Sequence, residues 1–317
     1  MTDEQGSHPH PTLSQGERAL RKIPLSTGIT LNVALAGPED APPVILLHGF
    51  PESHRSWRAI VPLLEDRFRL VMPDQRGFGG SDAPADPAEY HIDKIIADLF
   101  ALADALGIGE FALVGHDWGG AAAWAAAIRG ASCKNGPRIT RLAIINAPHP
   151  VIFQKSLIEN ADQRASSQYI NAFRVAGFEA TVEAMGFGTF FDKSFRNHVD
   201  LGTISAEERD RYIAEWSRPG TLTGMLNWYR ASPIFVPPAG VTVPLPDWLL
   251  GAFPKIRIPV RVIWGMNDAA LLPIQLDGLE ALIDEVEIVR LPGVGHFAPW
   301  EAPGQVAAAL SPFLAAS

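Results

Sequence analysis

Only one cysteine, Cys133, occurs in the 317 residues. An intramolecular disulfide is therefore excluded. A lone thiol with no histidine next to it reads as inert and fits a reducing compartment. Long apolar runs are missing as well. Nothing approaches the roughly 18 uninterrupted apolar residues of a membrane helix, so no membrane span is expected. Residues 1–16 lack a basic stretch followed by an apolar core, which removes a secretory signal. Their prolines, acids, His8 and His10 read as a disordered leader rather than a metal-binding tail, and a cytoplasmic location is expected. Basic residues are outnumbered, 26 Lys and Arg against 35 Asp and Glu, giving a net charge of −9. With no basic run as a local exception, nucleic acid is not an expected partner. The chain also has no G-x-S-x-G, so a serine esterase would have no nucleophile.

What is present suits one large α/β domain, or one with an insertion, since 47% of residues are hydrophobic and 19% charged. Ala19 to Pro24 and Ile29 to Leu35 read as strands paired in a hairpin around Ser26-Thr27-Gly28. Val44 to Leu47 is a buried strand ending in His48-Gly49-Phe50-Pro51-Glu52. An amphipathic helix is expected next, with Trp57, Ile60, Val61, Leu63 and Leu64 on its apolar side. Phe68 to Met72 is the following strand, leading into a turn-rich loop, Asp74 to Asp82. There Arg76 and Gly77 to Gly80 read as fold-stabilising turn chemistry. Ile92 to Leu106 has helical periodicity, closed by Gly107. Strands alternating with helices of this length predict a mostly parallel sheet flanked by helices.

The centre of the chain is Phe111 to Gly120. A short apolar strand runs into Gly115-His116-Asp117-Trp118-Gly119, and an alanine-rich helix follows. This is the layout of a nucleophile elbow, G-x-Nuc-x-G, with aspartate at the nucleophile position. After the strand Leu142 to Ile145 the α/β rhythm stops. Residues 149–254 carry helical patterns, aromatics and a proline-rich end, which predicts a helical lid inserted into a core of 17–148 and 255–317. The rhythm resumes with Val260 to Trp264, a helix near Leu276 to Ile283, the strand Val286 to Leu291, and a last helix from Pro303 to Phe313.

Asp117, Asp268 and His296 each follow a predicted strand end, where open α/β sheets place their sites. Their order is nucleophile, acid, histidine, as in α/β-hydrolases. A carboxylate attacks an sp³ carbon without first losing a proton, and the resulting ester is hydrolysed at its carboxyl carbon by water activated on His296. Backbone N–H groups of Phe50 and Trp118 are the expected oxyanion donors. The leaving atom must be a halide or a strained oxygen. Taken singly, Asp268 reads as a turn residue and His296 as a surface histidine, but three such residues in this order at strand ends make a catalytic set the better account.

The elbow, the His48-Gly49-Phe50-Pro51-Glu52 loop, Asn146-Ala147-Pro148-His149-Pro150, Leu226-Asn227-Trp228-Tyr229-Arg230 and Gly293-Val294-Gly295-His296 together resemble the epoxide hydrolases of the α/β-hydrolase fold, over essentially the whole chain after Pro24. The resemblance implies Asp117 as nucleophile, His296 as base, Asp268 as its partner, and two lid tyrosines, Tyr229 and Tyr169, as proton donors to the epoxide oxygen. Related enzymes sometimes take the acid from the strand ending near residue 146. Asn146 stands there, leaving Asp268. Tyr90 and Tyr212 read as structural, His149 as lid-hinge packing, and His116 as a structural residue pointing into the sheet. Haloalkane and haloacid dehalogenases share the nucleophile and the ester and are the alternative. Phe50 stands where the former usually carry asparagine, and Trp118 where fluoroacetate dehalogenases carry arginine. A non-catalytic binding protein would have no need of the full set. A small apolar epoxide and water are the expected partners, as monomer or homodimer, with no cofactor and no metal. Phe173, Phe187, Phe190, Phe191, Trp228 and Phe235 are candidates for an apolar pocket.

Overall fold

A computed structural model describes residues 20–130, 138–196 and 199–316. The leader and Cys133 lie outside the described residues. Eight strands form one sheet: β1 (Leu20–Pro24), β2 (Thr30–Ala36), β3 (Pro43–Leu47), β4 (Arg69–Pro73), β5 (Phe111–His116), β6 (Ile139–Ile145), β7 (Val260–Gly265) and β8 (Val286–Leu291). Their order is β1-β2-β4-β3-β5-β6-β7-β8. β1–β2 and β2–β4 pair antiparallel, and every later pair is parallel. The hairpin turns where expected: Gly28, at φ 85°, donates its N–H to Leu25 O at 3.0 Å.

Central strands are apolar along their length because both faces are covered. Ile45 and Leu47 of β3 join Leu113 of β5 on the face packed by helices α1 (Ile92–Ala105) and α2 (Asp117–Gly130). Val44, Leu46 and Val114 turn to the opposite face, as the two-residue side-chain period of a strand requires. That face meets Trp57, α10 (Ala298–Glu301) and α11 (Pro303–Ala315).

Between β6 and β7 the described residues contain no strand. Seven helices fill the stretch: α3 (Pro150–Glu159), α4 (Ala161–Ser166), α5 (Gln168–Arg174), α6 (Phe178–Met185), α7 (Phe187–Phe195), α8 (Ala206–Trp216) and α9 (Thr221–Ala231). Their buried residues continue the α1/α2 face of the core. Among the described residues no helix is long and apolar enough to cross a membrane.

Two expected helices are absent. The stretch after Glu52 forms separate 3₁₀ turns, His54–Trp57 and Val61–Leu63. Pro62 lies inside the expected helix, where it removes a donor and clashes with the preceding turn. Trp57, Ile60, Val61 and Leu64 are buried as the apolar pattern required, but Leu63 is 52% exposed. The segment near Leu276 to Ile283 likewise splits into 3₁₀ turns, Pro273–Leu276 and Leu279–Ala281. Gly278 between them is left-handed at φ 84°, which no α-helix accommodates.

Candidate active site

β5 ends at His116 and α2 begins at Asp117 with no residue between them. Asp117 absorbs the reversal at φ 50°, a left-handed conformation that aspartate tolerates better than most residues. The glycine spacing follows from the crowding. A Cβ on Gly115 would sit 2.5 Å from Gly119 O, and one on Gly119 would sit 2.2 Å from Leu47 O. Gly49 is fixed by the site itself, since its Cβ would fall 2.4 Å from that of Asp117.

The structure brings Asp117, Asp268 and His296 together from the ends of β5, β7 and β8. His296 Nδ1 lies 2.7 Å from Asp268 Oδ2, and His296 Nε2 lies 3.5 Å from Asp117 Oδ2. The Phe50 N–H donates to Asp117 Oδ1 at 2.7 Å. The Trp118 N–H lies in the first turn of α2, where amides have no intrahelical acceptor.

Asn146 is a participant that sequence reasoning missed. It is fully buried at φ 41°. Its Nδ2 donates to Asp268 Oδ2 at 2.8 Å, and its Oδ1 accepts from Gly265 N at 2.9 Å. Ala270 and Leu271 N–H groups donate to Asp268 Oδ1 at 2.9 and 2.8 Å. The carboxylate is therefore saturated and fixed toward the histidine. The signal for it is a polar residue directly after the end of β6, where related enzymes sometimes carry the acid.

Charge follows geometry. Burial works against every ionised group here, yet the attraction between opposite charges prevails. His296 is held well above its usual range, with burial opposed by the charge of Asp268 and the hydrogen bond to Asp117. Asp117 and Asp268 are both held below the usual carboxylate range, their burial outweighed by His296. The two carboxylates thus favour a protonated imidazole between them.

Tyr229 on α9 is buried, and Tyr169 on α5 is half-buried. Their ring centroids are 6.2 Å apart, and the Tyr229 ring stands edge-on to Phe50 and Trp118 at 5.0 Å each. Burial raises both phenols, Asp117 pushes them further in the same direction, and both stay protonated. Two cavities meet at this point. One, of about 220 Å³, has Ala121, Ala125, Phe153, Ile170 and Trp228 in its wall. The other, of about 300 Å³, has Phe173, His296, Phe297 and Lys193 in its wall. Asp117, Tyr169 and Tyr229 line both.

The remaining candidates divide. Phe173 and Trp228 face cavities, Phe190 and Phe191 join an aromatic cluster with Trp216, and Phe235 is 51% exposed. Tyr212 is buried in the same cluster. Tyr90 lines the smaller cavity while its hydroxyl donates to Pro84 O. His149 packs on Trp124 and is lowered to about 4 by burial, so it is neutral. Its Nδ1 accepts from the Val151 N–H at the start of α3. His116 Nε2 lies 2.9 Å from the His296 carbonyl, and its Nδ1 lies 3.3 Å from Glu52, two contacts with no sequence signal. Arg76 makes a buried two-point contact with Asp98. Among the described residues no group of three His, Cys, Asp or Glu could hold a metal ion.

Residues 42–303 match the family model of the α/β hydrolase fold. The chain is 35% identical to AB hydrolase superfamily protein YfhM of Bacillus subtilis, over 78% of this chain and 80% of that protein. It is 32% identical to Epoxide hydrolase A of Mycobacterium tuberculosis, over 91% of this chain and 95% of that one. A solved structure described among epoxide hydrolases of the α/β hydrolases superfamily, from metagenomes of hot environments, superposes with a TM-score of 0.86. Its identity is 46%, covering 95% of this chain and all of that one.

Proposed function

The chain belongs to the α/β-hydrolase fold family, and on that premise we propose that it hydrolyses epoxides to vicinal diols through an ester on Asp117. The observation that carries this reading is the aspartate at the elbow, 3.5 Å from His296 on one side and faced by two protonated tyrosines on the other. The names of its relatives support the substrate class.

Asp117 Oδ2 attacks an epoxide carbon, and the C–O bond of the ring breaks. The alkoxide that forms is far more basic than a phenol, so Tyr229 and Tyr169 hydrogen-bond it and supply its proton. Ester formation removes the charge of Asp117. One of the two anions holding the proton on His296 is then gone, and the histidine releases it, through solvent, to the phenolate that protonating the alkoxide left behind. The neutral ring, still oriented by Asp268, takes a proton from water as the water attacks the ester carbon. Oxyanion character then develops on Oδ1, against the Phe50 and Trp118 N–H groups. Losing one such donor costs about 3 kcal/mol in barrier. Collapse of the oxyanion breaks the bond from the carboxyl carbon to Oδ2, so that the diol leaves with the proton of the new carboxyl and Asp117 is ionised again. Residues 149–254 act as the lid and supply both tyrosines, over a core of 17–148 and 255–317.

A single turnover of styrene oxide in heavy-oxygen water tests the route. The expected result is label in the Asp117 carboxylate and none in the first diol. Label directly in that diol would exclude the ester. Bromide release from a short bromoalkane, with no diol from any epoxide, would move the reading to dehalogenation.

A further inference from the structure

The two cavities at Asp117 differ in chemistry. The smaller one is walled by apolar side chains, with Ala121 and Ala125 of α2 leaving the room. The larger one has Ser166, Ser194 and Lys193 in its lining. Lys193 is the one lysine or arginine lining either cavity. It has no acidic partner among the described residues, whereas its neighbour Asp192 is engaged by Arg196 and Arg209. Each cavity alone is at or below the lower end of the about 300–1,000 Å³ of small-molecule sites, and the pair lies within that range. A terminal epoxide with one substituent fills one limb only. The overall charge of −9 would not draw an anion in, so an exposed, unpaired cation in the wall of one limb is a local device.

Resting on the epoxide reading of this site, we propose that its substrates are internal epoxides with unlike substituents. An apolar group on one carbon occupies the Ala121/Ala125 limb, and a tail on the other carbon carries an anionic terminus to Lys193. Methylene spacing keeps that anion clear of Asp117 and Asp268. Phe50, Phe173 and Phe297 pack along the intervening chain.

The test uses the purified full chain and a matched pair of probes. Each has a phenyl group on one epoxide carbon and a short aliphatic chain on the other. The chain ends in a carboxylate in one probe and in its methyl ester in the other. The readout is the acid-to-ester ratio of kcat/KM. Lys193→Gln is expected to lower the ratio about three- to fivefold, the upper end for an exposed ion pair, and Lys193→Glu to lower it further. Wild type should lose the preference for the acid as salt rises, while Lys193→Gln should show no such loss, because the contact that salt screens is gone. Ala125→Leu should raise KM for the phenyl probes far more than for analogues with methyl in place of phenyl. A ratio unchanged in both Lys193 variants would overturn the proposal and leave that limb as a path for water. A wild-type enzyme inert toward styrene oxide as well would remove the epoxide reading itself, a distinguishable failure.

Discussion

At the scale of single residues, the proposed ester route would let one bond-forming event change several acidities. The Asp117 charge raises both tyrosines and helps hold the proton on His296. On the proposed route alkylation would remove that charge, making the phenols better donors when an alkoxide needs a proton and the histidine a free base when water must be activated. Tyr229→Phe and Tyr169→Phe are each expected to slow ester formation about 10²- to 10⁴-fold. The double variant should fall short of the product of the two, because both serve one oxygen; stopped-flow tryptophan fluorescence checks this. Asn146 makes a second residue-scale prediction. Its Nδ2 donates to the same Asp268 oxygen that meets His296, and its left-handed backbone suits aspartate equally well. Asp268→Asn should accumulate ester, visible by mass spectrometry. Adding Asn146→Asp should restore ester hydrolysis by placing a carboxylate across that contact, and equal decay rates in the two variants would refute it.

At the scale of elements, the elbow is a contact between backbones as much as a turn. Gly119→Ala would drive a methyl group to 2.2 Å from Leu47 O, and pushing α2 away from β3 is expected to cost about 1–3 kcal/mol. Gly304→Ala, in α11 with nothing within 4 Å of a new Cβ, should stabilise by about 0.5–1 kcal/mol. Urea unfolding midpoints separate the two. The same contrast explains what was legible in the sequence. β3, β5 and β7 announce themselves as short apolar runs because helices cover both faces. The positions of Asp117, Asp268 and His296 at strand ends were readable for the same reason. The 3₁₀ turns were not, since Trp57, Ile60 and Leu64 keep a helical apolar period while Pro62 forbids the helix, and the period is the louder signal. Asn146 and the Glu52–His116 contact were invisible because they join residues far apart in sequence whose types alone announce no chemistry.

At the scale of the whole molecule, the helical insertion is tied to the sheet through α8. The Arg55 guanidinium grips Glu208, with Nε 2.9 Å from Oε1, and the Trp216 indole donates to Pro51 O at 2.8 Å. Glu215 sits in this junction with Oε2 buried and unpartnered. Burial and the nearby Asp74 raise it from 4.5 to about 7. Between those values the folded protein keeps a proton that the unfolded chain releases, so this group's contribution makes stability fall as pH rises from 4.5 to about 7 and level off above. Glu215→Gln should remove that slope. Melting temperatures of wild type and variant at about pH 5 and pH 8 would show it, the variant gaining only at the higher pH.

The division of labour between sheet and insertion has a genetic consequence. Asp117, Asp268 and His296 are encoded on either side of the stretch that supplies Tyr169, Tyr229, Phe173 and Lys193. On the proposed roles, recombination exchanging the DNA between β6 and β7 would give the progeny a new substrate range with inherited chemistry, provided the incoming segment brings its own pair of phenols.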